Sequence, residues 1–344
     1  MQVNNQNVEE LIYHYGMIPE FIEQHGRVWR VATKNGAFAL KQIKKEHAYP
    51  LFRNIHSLFQ RGLKTVVPIY QTRQGHYFVE TVTDAYYLMP WVEDQEEREV
   101  DFKDSLMFKE LAKLHSMTVK EKEYQEEDIT SFYNKLSEEW KKEQQELERF
   151  VDNCEKKLYM SPFELQVCTY AHEISLAQKF SLEKLESWQE AVTETKKHRV
   201  AMTHGRVSFH HFVKDTEGRG YFISWERAKQ APPANDIISF YQRYLRTYPL
   251  FCDDCVDWFY DYQKGFGLQD SEKSLTLSYL SHPGNFMQSI RRFQTQNDLR
   301  QKLSERELVK SVQGSYWLAK NIEYVAGRIN QLEEQSKNKE AQTS

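Results

Sequence analysis

The feature that most constrains this chain is a change of periodicity near residue 93. Before it, short apolar runs alternate with turn signals; after it the pattern is helical almost throughout. A first helix is expected over 8–15, capped by Asn7 and ended by Gly16. Strand-like runs follow at 17–23, 27–33 and 37–43. Asn35-Gly36 between the last two marks a hairpin, because a type I′ turn needs positive φ at both central positions. A helix over 46–61 carries Leu51, Phe52, Ile55, Leu58 and Phe59 at helical spacing. Strands at 66–72 and 76–83 and an apolar run at 86–92 complete this part. The reading is an α+β chain. A small β-rich lobe of five strands and one helix spans 1–92, a linker 93–102 and a large helical lobe 103–335, with 336–344 as a disordered polar tail.

Within the helical part, 129–194 is highly charged, with Phe132, Leu136, Trp140, Leu147 and Phe150 as its apolar residues. It reads as long amphipathic helices broken at Ser161-Pro162, where proline suits a first helical turn. Short strands are expected at 199–203, 212–214 and 221–224, followed by helices to about residue 335.

Composition excludes several classes of function. A formal net charge of −4 gives no electrostatic case for nucleic acid or an anionic membrane. No apolar run approaches the roughly 20 residues needed to span a bilayer. The first residues, Met1-Gln2-Val3-Asn4, show neither a basic nor an apolar leader region, so a cytosolic protein is expected. Four cysteines in 344 residues make no disulfide scaffold. Cys252-Asp253-Asp254-Cys255 lacks a second CxxC, and it reads as small residues on a helix face.

The chemistry-bearing stretch is Met202-Thr203-His204-Gly205-Arg206-Val207-Ser208-Phe209-His210-His211, followed by Ile223-Ser224-Trp225-Glu226. It resembles the catalytic segment of the aminoglycoside- and choline-kinase-like branch of the kinase superfamily, in which His-Gly-Asp-x-His-x-x-Asn precedes Ile-Asp-Trp-Glu. His204 and Gly205 match. Arg206 stands at the catalytic Asp position, Ser208 at the second His, His211 at the metal-binding Asn and Ser224 at the metal-binding Asp. Other stretches fit the same frame. Lys41, in Phe38-Ala39-Leu40-Lys41, resembles the strand lysine that holds nucleotide phosphates. The run containing Leu88, Met89 and Trp91 resembles the hinge whose backbone pairs with adenine. Asp236 fits the aspartate that caps a helix and ties down the catalytic loop. The implied fold is bilobal and protein-kinase-like, of the aminoglycoside phosphotransferase type.

The implied activity is another matter. Phosphoryl transfer needs a carboxylate near the attacking hydroxyl and hard oxygen ligands for Mg²⁺. Arginine stays protonated and cannot act as a base, and its charge disfavours a divalent cation. His211 is a poor ligand for a hard metal, and Ser224 removes a negative charge. Preorganised electrostatic groups are worth roughly 2–4 kcal/mol each, so losing three removes most of a rate enhancement. No catalytic residue is therefore expected, nor a metal site. His204 and Gly205 are read as loop anchors, and Lys41, Leu88, Met89 and Trp91 as a vestigial nucleotide site. Arg206 could hold a phosphate or pair with an acidic side chain such as Asp84, Glu93 or Glu226; the sequence leaves both open. His204, His210 and His211 do not make a transition-metal site if His210 and His211 point to opposite faces of a strand. His282-Pro283-Gly284-Asn285 copies part of a kinase loop out of context and is expected to be a turn between helices.

The outline from Gly26-Arg27-Val28-Trp29 through Val66-Val67-Pro68-Ile69-Tyr70 and Tyr86-Tyr87-Leu88-Met89-Pro90-Trp91 to Trp225-Glu226 is similar to the CotS family of Bacillus-type spore coat proteins. That resemblance, over about residues 8–330, implies synthesis in the mother cell, deposition on the spore coat and other coat proteins as partners. Neither nucleic acid binding nor membrane insertion is implied. A pseudokinase with an interaction role needs no cofactor. The alternative, an ATP-dependent kinase with unorthodox metal use, needs ATP and a metal.

Overall fold

The computed structural model describes residues 5–93, 100–246, 251–295 and 304–343. In chain order the elements begin with α1 (Asn5–Tyr13), β1 (Phe21–His25), β2 (Val28–Thr33), β3 (Gly36–Lys44), α2 (Ala48–Gln60), β4 (Val79–Glu80), β5 (Asp84–Pro90) and α3 (Val100–Thr118). Next come β6 (Lys120–Glu123), the long helices α4 (Glu126–Glu155) and α5 (Pro162–Thr195), and the short strands β7 (Lys197–Thr203), β8 (Phe212–Lys214), β9 (Gly220–Phe222) and β10 (Lys229–Ala231). Helices α6 (Ala234–Tyr244), α7 (Asp254–Gly265), α8 (Asp270–Ser281), α9 (Gly284–Gln294) and α10 (Glu305–Thr343) finish the chain. A small antiparallel sheet lobe thus precedes a large helical one.

The chain folds as two compact units, Met1–Val119 with Ala201–Ala231, and Lys120–Val200 with Pro232–Ser344. The central loop therefore groups with the N-terminal sheet.

The first unit is built on a sheet of strand order β1-β2-β3-β5-β4. A hairpin joins β2 and β3, but not through the expected type I′ turn: Thr33 pairs with Gly36, Lys34 and Asn35 are the central residues and neither has positive φ, while Gly36, at φ 118°, opens β3. Val8, Leu11, Ile12 and Tyr15, from α1 and the turn after it, bury against Trp29, Val31, Leu40 and Leu88. Each such side chain contributes about 1.5–3 kcal/mol on leaving water. The run 66–72 differs from expectation: Val66 makes an isolated parallel bridge to Phe222 and the Tyr70 N–H reaches the Leu88 carbonyl, but the run forms no strand. Pro68, which has no N–H to give a ladder, interrupts it. The hinge-like run supplies the fifth strand instead, as β5.

The second unit is helical. Ser161 accepts from the Glu164 backbone and Glu164 reaches back to the Ser161 backbone, a capping box that starts α5 at Pro162. The packing of α4 and α5 buries Leu147, Phe150, Phe163 and Val167 against α9 and α10. Residues 197–200 of β7 pair with β6. Three expectations need correction here. The polar stretch 336–343 continues helix α10 to Thr343, since Lys, Glu, Gln and Ala are good helix formers and extend a helix already packed on the core. Cys252 precedes α7 rather than lying on it, leaving only Cys255 within the helix. Asp236 sits in the first turn of α6, fully buried, while Pro233 occupies the cap position; its charge there complements the helix dipole. No helix among the described residues is long and apolar enough to cross a membrane.

Candidate functional site

The site is built where β7 ends. Residues 201–203 pair with β10, which fixes the strand and delivers His204 and Gly205 beyond it. Gly205 has φ 75°, and a Cβ there would lie 2.5 Å from the Arg227 carbonyl oxygen, so the turn admits glycine alone. The buried His204 donates from Nε2 to the Ile223 carbonyl at 2.9 Å, and its ring meets Trp225 edge-on. The Ile223 N–H donates to the His211 carbonyl at 2.9 Å, and Trp225 Nε1 donates to the Phe222 carbonyl at 2.8 Å. These bonds lace the segment 204–211 to 222–225.

The substituted positions gather around this lacework. Residues 209–211 form one 3₁₀ turn rather than a strand, which exposes His210 and half-buries His211. His211 Nδ1 lies 2.7 Å from Ser208 Oγ. Burial, and then the positive charge of Arg206 and its neighbours His204 and Lys41, hold the His211 imidazole down at about 4, so it is neutral at physiological pH. Ser224 adopts a left-handed backbone, φ 70° and ψ 54°, in a region that costs a non-glycine residue on the order of 1 kcal/mol and that Asp and Asn tolerate best. The conformation suits an aspartate better than the serine that occupies it.

Lys41 points from β3 into this same site. Its Nζ donates to Ser224 Oγ at 2.7 Å and pairs with Glu226 Oε1 at 2.6 Å, and the Tyr87 hydroxyl donates to the same carboxylate at 2.9 Å. Burial pushes the Glu226 carboxyl up, but the Lys41 charge and the Lys41 and Tyr87 hydrogen bonds outweigh it and hold the group below the usual carboxylate range. Burial, reinforced by Glu226, drives the Tyr87 phenol well above its ordinary value. In protein kinases the strand lysine pairs with a glutamate of the following helix. Here α2, AYPLFRNIHSLFQ, has no carboxylate, and Asn54 of that helix instead donates to the Ala228 carbonyl.

Arg206 has none of the partners that sequence suggested. Glu226 is taken by Lys41, Glu93 by Arg30, and Asp84 accepts from Thr83. Its side chain is exposed, and among the described residues no carboxylate pairs with it. Nor, among those residues, is there a cluster of three or more His, Cys, Asp or Glu side chains placed to hold a metal ion.

The hinge-like groups are engaged by the sheet itself. The Trp91 N–H donates to the Ala37 carbonyl at 3.0 Å, and the Leu88 carbonyl accepts from the Tyr70 N–H at 2.8 Å. Met89 is opposite Ala39 in the β3–β5 register. The Trp91 ring lies against His25, 5.6 Å between centroids, with the Arg30 guanidinium 5.7 Å away. Sequence reasoning offered Glu226 as a partner of Arg206 rather than of Lys41, and it missed Tyr87.

Solved structures share this architecture. An aminoglycoside phosphotransferase from Alicyclobacillus acidocaldarius superposes with a TM-score of 0.70 at 15% identity, over 96% of each chain. A spectinomycin phosphotransferase bound to ADP and spectinomycin gives 0.57 at 13% identity, over 94% of this chain and 100% of the other. An amicoumacin kinase bound to AMP-PNP, Ca²⁺ and its substrate gives 0.52 at 11% identity, over 91% and 93%. The fold is that of the aminoglycoside phosphotransferases. No family model matches the sequence, and no curated protein matches it.

Proposed function

We propose that this chain is a catalytically impaired kinase-fold protein with an interaction role in spore coat assembly. One observation carries the loss of catalysis: Glu226, the one carboxylate among the described residues that meets Lys41, forms an ion pair with it, while Arg206, His211 and Ser224 stand at the positions of base and metal ligands. A divalent cation entering there meets a guanidinium, a neutral imidazole and a carboxylate already paired with Lys41. The coat role is supported by the sequence resemblance, and it makes other coat proteins the partners. Thermal shift with ATP, with and without Mg²⁺ or Mn²⁺, tests the impairment. No metal-dependent stabilisation is expected; a metal-dependent shift abolished by Lys41→Ala would restore the alternative of an ATP-dependent kinase with unorthodox metal use. Immunodetection in coat extracts of spores tests the location, and its absence from every coat fraction would sink that part of the reading.

A further inference from the structure

We infer that Cys252 and Cys255 form a redox-active dithiol, which a low-molecular-weight disulfide oxidises to an intramolecular disulfide across the start of α7. The site lies in the helical unit and stands apart from the impaired-kinase reading. Its first ground is placement. Asp253 occupies the cap position of α7 with helical dihedrals already, φ −67° and ψ −35°, so Cys252 lies just before the helix and Cys255 in its first turn. That turn brings the two thiols together, and they hydrogen-bond to each other. Cys252 Sγ also accepts from the Cys255 and Asp254 backbone N–H groups, donors that a helix leaves unsatisfied at its start. The turn is held from two sides. Tyr241 of α6 donates its hydroxyl to the Cys255 carbonyl at 2.6 Å, and Tyr324 of α10 donates to Asp253 Oδ1 at 2.6 Å.

The second ground is the asymmetry of the pair. The bond from the Cys255 thiol, aided by the two N–H groups, pulls the Cys252 thiol below its usual value in spite of burial and the Asp254 charge. That same bond, with burial, pushes the Cys255 thiol far up. Cys252 is 5% exposed and Cys255 not at all, so the more acidic thiol is also the one an incoming molecule meets. The other two cysteines supply a contrast. Cys154, in the last turn of α4, and Cys168, inside α5, also hydrogen-bond, yet burial pushes both thiols up, Cys154 to about 12. Contact alone therefore does not make a reactive pair; an acidic first thiol at a helix start does.

The exchange balances with a disulfide RSSR as oxidant. The Cys252 thiolate attacks one sulfur, forming a mixed disulfide and releasing one thiolate; Cys255 then gives up its proton and attacks the Cys252 sulfur, releasing the second. The dithiol loses two electrons and two protons, and RSSR leaves as two RSH. A disulfide enclosing only two residues constrains the unfolded chain little, so it serves exchange better than it serves stability.

The test treats the reduced full chain with excess glutathione disulfide at neutral pH, traps free thiols with N-ethylmaleimide and maps the peptides by mass. A Cys252–Cys255 disulfide should form and be reversed by dithiothreitol, while Cys154 and Cys168 are recovered alkylated. In the native reduced chain iodoacetamide should modify Cys252 about tenfold faster than any other cysteine. Cys255→Ser should retain one glutathione on Cys252, and Cys252→Ser should retain none on Cys255. Mapping of the unsubstituted chain needs no variant, so it decides the matter even if a variant fails to fold. Absence of the 252–255 disulfide, equal oxidation of Cys154 and Cys168, or equal retention of glutathione by the two serine variants would each overturn the inference.

Discussion

Each unit holds a partly buried ion cluster, and the two are built to different ends. In the helical unit, Glu143 lies 3.1 Å from His282 Nε2 and 2.9 Å from Arg291, whose other nitrogens meet Glu146 at 2.7 Å. The His282 ring stacks on Trp140, 4.1 Å between centroids. The Arg291 guanidinium there faces two carboxylates, and the turn that carries His282 shows no left-handed non-glycine residue. In the sheet unit, Lys41 and Glu226 are matched, but Arg206 is left over and Ser224 sits in a costly backbone conformation. A cluster that only holds a fold together balances its charges and avoids strain. Residual charge and strain mark a place shaped by binding or chemistry.

The comparison can be broken most forcefully in the helical unit. Glu143 has a side chain only 6% exposed, and Glu143→Ala removes the carboxylate that both Arg291 and His282 Nε2 meet. It should cost about 3 kcal/mol in urea denaturation, the scale for breaking a buried pair. Glu226→Gln should cost less, about 1–2 kcal/mol, because the Lys41 site reaches solvent and Ser224 keeps one bond to the ammonium. Equal losses would erase the distinction drawn between the two clusters.

Smaller effects sharpen it. The His211 imidazole, held at about 4 against the usual 6.5, contributes stability that is complete above pH 6.5 and lost as pH falls towards 4. Acid titration of the melting temperature should show a loss of about 1–2 kcal/mol over that window, and His211→Asn should remove it. Last, Ser224→Asn should raise stability by about 0.5 kcal/mol, since asparagine tolerates the left-handed conformation that serine strains. A destabilised Asn variant would mean that the Lys41–Ser224 hydrogen bond outweighs the strain.

Much of the fold was legible because its signals are local. The apolar spacing of α2 and the Ser161-Pro162 start of α5 each act over a few residues and formed where expected, and the β2–β3 hairpin formed with its turn one residue earlier than Asn35-Gly36. The run 66–72 was misread because its β-branched residues outweighed Pro68, whose missing N–H decided the matter. The tail 336–343 was misread because polarity was taken for disorder in a stretch that continues a packed helix. His282 was rightly dismissed as a kinase signature, yet its role as an ion-pair partner came from Glu143, far away in the chain.

By itself the sequence determined the α+β layout, the kinase-like frame and the loss of carboxylates at Arg206 and Ser224, since residue identity and short spacing suffice for those. Only the tertiary structure decided what those substitutions do. Lys41 and Glu226 are separated by most of the chain, and the choice of Lys41, rather than Arg206, as the partner of Glu226 depends on which side chains the folded backbone brings within hydrogen-bond reach. That choice left Arg206 exposed, with no carboxylate paired to it among the described residues.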